Sequence, residues 1–218
     1  MQHIIIDLEF TPIPKSFRKI ASNEIIEIGA VRLNDHYECV DSFTTFVRPQ
    51  FAHRLSNECE HLTGIHLVNL HSAPFFQEAL ASFEDWIGDE AFRIYQWSEN
   101  DQAQIVGECA LKGVVSSLCS KHWIDLQRIY CRVAGLEHVI SLERALSSLN
   151  IMFEGSLHRA CDDAMNTASI LQTMKNKDEF TRRFSTIRSL LKPRTCSCTL
   201  GDLIGGKLQL LYEEVSIA

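Results

Sequence analysis

The segment Ile4–Glu9, with the sequence IIIDLE, constrains the fold of this chain more than any other feature. Three consecutive isoleucines predict a buried β-strand, yet two acids follow in the same stretch. Residues at positions i and i+2 of a strand point to the same side, so Asp7 and Glu9 share a face. Two like charges this close repel, and burying them without a partner is costly. A cation between them, protonation of one acid, or a strand end screened by water would each resolve the conflict.

Composition and charge are those of an ordinary globular protein. The 218 residues are 45% hydrophobic and 22% charged, which suits one sizeable domain with or without an appendage. No apolar run approaches a membrane span and the first residues lack a secretion pattern, so we expect a cytoplasmic protein without membrane contact. The net charge of −7 does not suggest a basic nucleic-acid face, but carboxylates that bind metal ions would supply positive charge locally.

The eight cysteines do not form a disulfide pattern. Six of them are scattered singly through predicted strands and helices, and reduced thiols are the better interpretation in a chain without a secretion signal. Cys196 and Cys198 are separated by one residue, and no second pair follows. That spacing is a poor match to zinc sites, so we do not predict a metal there.

Hydrophobic periodicity predicts an antiparallel start followed by alternating strands and helices. Strands are predicted at the first segment and at Glu24–Asn34, Tyr37–Pro49, Ala91–Trp97 and Trp123–Leu126. Helices are predicted at Leu55–Ile65, along the stripe from Phe76 to Ile87, from near Asp101, up to Tyr130, and at Ser141–Ile151 and Asp162–Asn176. This order indicates an α/β fold, a mixed sheet flanked by helices. Residues 1–176 form the predicted domain, and residues 177–218 a C-terminal helical extension that is basic and then apolar.

Further polar residues occur where predicted elements end. Asp101 opens a helix after the fourth strand, His158 precedes the last helix, and Asp163 lies in its first turn. An open α/β sheet forms its crevice at such places. Converging carboxylates favour hard cations such as Mg²⁺ or Mn²⁺, and two such ions can bind the attacking and leaving oxygens of a phosphodiester. Because a neutral histidine can take a proton from the attacking water, these residues predict a phosphodiesterase site.

These motifs resemble those of the DnaQ-like 3′→5′ exonucleases of the DEDDh class, over roughly Gln2 to Asn176. The first family motif is matched by IIIDLEFT, the second by WSEND and the third by HRACDDAMNTA, and two accompanying patterns by NEIIEIGAV and HLTGI. Arg159 stands where the tyrosine-type variant would carry its tyrosine, which favours the histidine type. The first motif, with the basic loop after it, is most similar to the Eri/KapD branch, whose best-known members trim RNA 3′ ends.

The resemblance implies a ribonuclease H-like fold with a mixed five-stranded sheet and a two-metal exonuclease that uses Mg²⁺ or Mn²⁺. It implies that Asp7, Glu9 and Asp163 hold one ion, and that Asp7 helps to hold the second. Asp101 would act largely through water, and His158 would be the general base. The residues implied to cradle the 3′-terminal nucleotide are Phe10, Thr11, Leu62, Thr63 and Gly64. The expected substrate is the 3′ end of single-stranded nucleic acid, RNA in preference to DNA, with nucleoside 5′-monophosphates as products.

Several alternatives remain open. Taken alone, Asp101 is most simply a helix N-cap, because aspartate accepts the free amides there. Asp162 competes with Asp163 as a ligand; family spacing from His158 selects Asp163, and Asp162 would then face away and cap the helix. A DNA-directed enzyme of repair or proofreading, or a non-catalytic module on the same fold, would share these motifs. A protein-binding role for the extension and the oligomeric state also stay open.

Overall fold

The computed structural model describes residues 1–18 and 21–183. It contains a five-stranded sheet in the order β3-β2-β1-β4-β5. The strands are β1 (Gln2–Pro12), β2 (Asn23–Leu33), β3 (Cys39–Phe46), β4 (Phe92–Gln96) and β5 (Trp123–Asp125). The pairs β1–β2 and β2–β3 are antiparallel, whereas β1–β4 and β4–β5 are parallel. The predicted mixed five-stranded sheet is therefore confirmed.

The helices follow the predicted order, with ends that differ by a few residues. They are α1 (Asn57–Thr63), α2 (Leu67–Leu70), α3 (Phe76–Ile87), α4 (Asn100–Lys112), α5 (Leu126–Ala134), α6 (Leu142–Ser148) and α7 (Ala160–Lys175). The short α2 and the 3₁₀ turns at Lys15–Phe17 and Ser117–Ser120 were not predicted. Such short elements carry too few residues to show a hydrophobic period.

Strand β1 is covered on both faces, which explains its run of isoleucines. Ile5 packs in a core cluster with residues of α5, α6 and α7. Ile4, Ile6 and Leu8 pack in a second cluster with residues of α3 and α4. A strand buried on both faces reads as a continuous apolar run rather than an alternating one. By the two-residue period, Asp7 lies on the Ile5 face, beneath α7.

The chain beyond α7 begins as a continuation of the domain. Residues 177–183 are helical, and Phe180 is buried in the same cluster as Ile5. The rest of the predicted extension, including the pair Cys196 and Cys198, lies outside the described residues. The predicted boundary at residue 176 thus stays a prediction.

The six cysteines of the described part of the chain carry free thiols: Cys39, Cys59, Cys109, Cys119, Cys131 and Cys161. Cys59, Cys109 and Cys131 are buried in the hydrophobic clusters. They behave there as small apolar side chains. Within residues 1–18 and 21–183, none of the helices has the length and apolar character needed to cross a membrane.

Candidate active site

The first strand brings two carboxylates to an open sheet edge. Asp7 pairs with Gly29 and Glu9 with Glu27 in the antiparallel ladder between β1 and β2. On the other side, β4 pairs with β1 only as far as Ile6. The β1–β2 register shifts directly after Glu9, an irregularity of the kind that re-aims side chains next to functional sites. Both acids are consequently only partly buried.

The junction between β4 and α4 places the third carboxylate. Gln96 ends β4 with its side chain buried, and its Oε1 accepts a hydrogen bond of 2.9 Å from the amide of Gln102. This contact fixes the start of α4 against the sheet. Asp101 lies in the first turn and is 5% exposed, while Glu99 occupies the N-cap position. Asp101 therefore does not serve as the simple helix cap that its sequence context allowed.

The loop before α7 and the first turn of that helix bring the remaining predicted residues. The His158 amide donates to Asp163 Oδ2 at 3.0 Å, and His158 has a φ of +61°. One ligand-type atom from each of Glu9, His158 and Asp163 lies within 4.8 Å of the other two. Residues from β1, the loop and α7 thus converge on one point.

A glycine on β2 allows α7 to approach the sheet this closely. A Cβ atom at Gly29 would lie 2.1 Å from the Ala160 carbonyl carbon and 2.1 Å from the Cys161 amide nitrogen. Since Gly29 is the β-sheet partner of Asp7, the first turn of α7 lies directly beside Asp7. Because Gly29 has no side chain, α7 can approach β2 closely, and this brings Asp163 near the acids of β1.

Asp162 belongs to the loop rather than to the acid cluster. Its Oδ2 accepts a 2.8 Å hydrogen bond from the Ser156 amide, and its carboxylate occupies the space that a Cβ at Gly155 would need. It faces away from the cavity, as predicted. It does not cap α7, however, because Arg159 holds the N-cap position and the bond of Asp162 runs back to the loop.

The converging residues line a cavity of about 330 Å³. Six predicted site residues are on its wall: Asp7, Glu9, Phe10, Asp101, His158 and Asp163. Ser141, Leu142 and Glu143, at the start of α6, also line it and were not predicted. These three residues lie outside every sequence motif, so their place on the cavity wall is visible only in the folded structure.

Four other residues predicted to contact substrate lie outside this cavity: Thr11, Leu62, Thr63 and Gly64. Thr63 is buried, and its hydroxyl donates to the Cys59 carbonyl at 2.8 Å and accepts from the Ile65 amide at 3.0 Å. These contacts close the end of α1. Leu62, by contrast, is 45% exposed and so is accessible to a ligand.

Burial and mutual repulsion dominate the electrostatics of the cavity acids Asp7, Glu9, Asp101 and Asp163. Burial, followed by the charges of Asp101 and Asp163, raises the pKa of Asp7 well above its ordinary value. Burial and the nearby Asp163 raise the pKa of Glu9 to about 8. Burial raises the pKa of Asp101 to about 8 against the amides of Leu8 and Asp101, and the pKa of Asp163 to about 7 against the His158 amide.

A second pair of buried acids in this chain has a lysine that balances its negative charge. Glu24 and Glu108 are both fully buried, and Lys112 Nζ lies 2.8 Å from the first and 2.7 Å from the second. Glu24 also accepts the amides of residues 50–52, and the Lys112 and amide hydrogen bonds lower its pKa despite burial. Among the described residues, no lysine or arginine forms an ion pair with any of the four cavity acids.

The donor set fits a divalent cation. Asp163 Oδ1 is buried and has no hydrogen-bond partner among the described residues. Such an orphaned carboxylate oxygen is costly unless something positive binds it. Carboxylate oxygens suit hard ions such as Mg²⁺ or Mn²⁺. Of the three resolutions open for Asp7 and Glu9, a cation is the one that this site favours.

We expect the metal-free protein to lose stability as the pH rises from about 5 to about 8. The ordinary pKa values of these acids are 3.8 and 4.5, and the folded values reach about 8, so the folded state binds more protons across that window. Saturating Mn²⁺ should raise the melting temperature most at pH 8. Thermal unfolding in chelator and in Mn²⁺ at several pH values measures both effects. A melting temperature that rises with pH in chelator would contradict the expectation.

Several residues that shape the site were not identified from the sequence. Gln96, Gly29, Glu27 and Arg159 each act through a contact with another element. The pattern NEIIEIGAV marks its strand, but the register that places Glu27 opposite Glu9 is visible only in the folded sheet. The role of Glu27 could not be predicted because the sequence does not show the register in which β1 and β2 pair.

Curated relatives are similar to this chain over most of its length. The 3′-5′ exonuclease Snipper of Drosophila melanogaster is 28% identical over 69% of this chain and 60% of its own. ERI1 exoribonuclease 2 of Danio rerio is 31% identical over 78% of this chain and 34% of its own. The 3′-5′ exoribonuclease 1 of Homo sapiens is 29% identical, over 70% and 46%. The chain spans 28 to 60% of the length of these and other such relatives.

Solved structures agree with the architecture. The nuclease domain of 3′hExo, described as a DEDDh family member bound to rAMP, superimposes with a TM-score of 0.69 at 27% identity. That match covers 80% of this chain and 92% of the nuclease domain. A full-length 3′-exonuclease gives a TM-score of 0.72 at 26% identity, over 81% of this chain and 61% of its own. The predicted ribonuclease H-like, DnaQ-like fold is confirmed.

A family model covers the same region. The RNase_T model, described as exonuclease, matches residues 4–171, which include most of β1 and α7 and the acids Asp7, Glu9, Asp101 and Asp163. Membership of the DEDDh exonucleases implies the use of divalent metal, in agreement with the donor set of the cavity. This chain belongs to the RNase_T exonuclease family.

Proposed function

We propose that this chain is a metal-dependent 3′→5′ exonuclease that shortens single-stranded RNA from its 3′ end and releases nucleoside 5′-monophosphates. The observation that carries the proposal is the convergence of Glu9, His158 and Asp163 in a cavity whose acids form no ion pair with any described lysine or arginine. The family match supports the reaction class. Relatives named exoribonucleases and a structural neighbour bound to rAMP support RNA as the substrate.

The cavity residues have distinct roles in this proposal. Asp7, Glu9 and Asp163 would hold one divalent ion, Asp7 would contribute to a second, and Asp101 would act through intervening water. Bound Mg²⁺ or Mn²⁺ would stabilise negative charge on the attacking and leaving oxygens of the phosphodiester. A ring nitrogen of His158 is proposed to accept the proton of the attacking water, because it lies within 4.8 Å of a carboxylate oxygen of both Glu9 and Asp163.

The substrate end is held between β1 and α1. Phe10 is partly buried on the cavity wall next to Glu9, where its ring can pack against the terminal base. Leu62 is exposed on α1, which contacts β1, and Gly64 follows at the end of that helix. Thr11 and Thr63 are buried, so in this proposal they support the cradle from behind and do not contact the nucleotide. A cytoplasmic location is part of the proposal and is supported by the free thiols.

The test is a shortening assay on 5′-labelled RNA, matched DNA and a hairpin, with Mg²⁺ or Mn²⁺. We expect a ladder of shortened RNA with nucleoside 5′-monophosphates as products. His158→Ala should lower kcat by about 10²–10⁴-fold, the usual contribution of a general base. Undiminished activity of this variant would refute the assignment of His158 as the general base.

Other outcomes of the same assay identify the alternatives. Faster shortening of DNA than of RNA would favour a DNA-directed exonuclease. Binding of RNA without any cleavage in either metal would favour a non-catalytic module. Chromatography of the released nucleotide distinguishes the 5′-monophosphate from a 3′-monophosphate product.

A further inference from the structure

A further carboxylate, Glu27, lies beside the cavity; it falls in the NEIIEIGAV pattern but was not among the predicted site residues. Glu27 is on β2 directly opposite Glu9, and only 1% of it is exposed. Acids that face each other across an antiparallel pair destabilise it, and an unpaired buried carboxylate adds to the cost. Glu27 therefore needs a positively charged or hydrogen-bonding partner.

That partner comes from the two residues that follow His158. Arg159 places Nη2 2.7 Å from Glu27 Oε1 and donates from Nε to Oε2 at 3.1 Å. The Ala160 amide donates to the same Oε2 at 3.2 Å. A two-armed guanidinium contact fixes direction as well as distance. One buried carboxylate thus holds both the side chain at the N-cap of α7 and the backbone of its first residue.

The segment held in this way is a strained one. His158 has a φ of +61°, a left-handed conformation that costs energy in any residue except glycine. Such a conformation persists only when the surrounding structure over-determines it. Hydrogen bonds restrain the chain on either side of this conformation: the His158 amide donates to Asp163, and the Arg159 side chain and the Ala160 amide donate to Glu27.

We propose that Glu27 is a positioning residue, which acts through Arg159 to fix the backbone of His158 and thereby aim its imidazole at the reacting water. The inference rests on the proposed function, in which His158 is the general base. Arg159 has no evident role toward substrate, since its guanidinium is held by Glu27 and lies 5.5 Å from the centre of the Phe46 ring. The Arg159 guanidinium is therefore already engaged within the fold by Glu27 and Phe46.

The test compares Glu27→Gln, Arg159→Gln and the double variant Glu27→Gln/Arg159→Gln in steady-state shortening of the labelled RNA. Each should lower kcat by about 10- to 100-fold, the scale of a small misplacement of a catalytic group, with KM within about twofold of wild type. Arg159→Gln leaves the buried Glu27 charge unpaired and should melt earlier, whereas Glu27→Gln leaves only the Arg159 charge, which is 39% exposed, and should melt closer to wild type. The double variant is neutral, so its melting temperature should recover while its kcat stays low.

A matched control is available at the other end of α7. Glu179 binds Arg183 through Nε at 2.9 Å and Nη2 at 2.8 Å, in a similar arginine contact. It lies beyond the far end of α7, a helix about 24 Å long whose first turn is at the cavity. Glu179→Gln should therefore keep the wild-type kcat. Equal kcat losses in this control would show that the effect is general loss of stability and would overturn the proposal.

Two further results would overturn it. One is wild-type kcat in the double variant once its stability recovers, and the other is a raised KM with unchanged kcat, which would make Arg159 a substrate contact. Hydrogen exchange of residues 154–163 in the metal-free protein gives a readout independent of cleavage, and we expect faster exchange in the double variant. Absence of cleavage by the wild type would refute the proposed function, whereas unchanged exchange would refute the positioning role by itself.

Discussion

Replacing Asp7 by asparagine is expected to lower kcat by at least about 10³-fold in the RNA-shortening assay, with little change in the fold. The variant keeps the size of the side chain and removes one negative charge from the acid cluster. Metal ions supply several kcal/mol of charge stabilisation in phosphodiester cleavage, and each 1.4 kcal/mol is a tenfold change in rate. Single-turnover kinetics at saturating Mn²⁺ separate this effect from weaker binding of the RNA.

The same substitution should make the metal-free protein more stable. The pKa of Asp7 is raised by burial and by the charges of Asp101, Asp163 and Glu9, so its ionised form is unfavourable in the folded state at neutral pH. An asparagine has no charge to desolvate. At pH 8 in chelator the Asp7→Asn variant should therefore melt above the wild type, and added Mn²⁺ should raise its melting temperature less.

Asp162→Asn is the control for this result. Asp162 bonds to the Ser156 amide outside the cavity, and an asparagine oxygen can accept the same bond. Its activity should stay close to wild type. Equal losses in Asp7→Asn and Asp162→Asn would mean that charge anywhere near α7 affects the rate, and would contradict the assignment of Asp7 as a ligand.

The sequence allowed the acids to be predicted because each lies in or beside an element with a clear period. Asp7 and Glu9 lie within an unambiguous strand, and Asp163 lies in the first turn of a long helix. The order of elements also defined the mixed sheet, since a short turn requires antiparallel neighbours. The local pattern was sufficient wherever a residue's role depends on its own element.

Roles that depend on contacts between elements could not be predicted in this way. In the sequence, Glu27 is one of several acids on a predicted strand. Only the register of the folded sheet places it opposite Glu9 and within hydrogen-bonding distance of Arg159. Thr63 fitted a substrate-binding motif, yet its hydroxyl is committed to the end of α1. A one-residue change of register would exchange the two faces of a strand, and no local pattern encodes that choice.

Gly29→Ala is expected to disrupt the site without touching any polar residue. The added methyl group would lie 2.1 Å from backbone atoms of Ala160 and Cys161, which cannot rotate away, so α7 must move. Overpacking of this kind costs about 1–3 kcal/mol, and we expect the upper end of that range. Moving α7 carries Asp163 away from Asp7, and a shift of about 1 Å can cost about 10²-fold in rate. Urea unfolding and kcat of the folded fraction measure the two effects.

Gly107→Ala provides the matched control, because it adds the same methyl group where there is room. That methyl would lie 3.6 Å from Ala21 Cβ, an ordinary contact, inside α4. Alanine is favoured over glycine in a helix by about 0.5–1 kcal/mol, so this variant should be as stable as wild type or more stable, with unchanged kcat. If Gly29→Ala behaved like Gly107→Ala, the sheet and α7 would have to be farther apart than the structure places them. The acids of β1 and Asp163 could then not share one metal site, so this pair of variants tests the geometry on which the proposed chemistry depends.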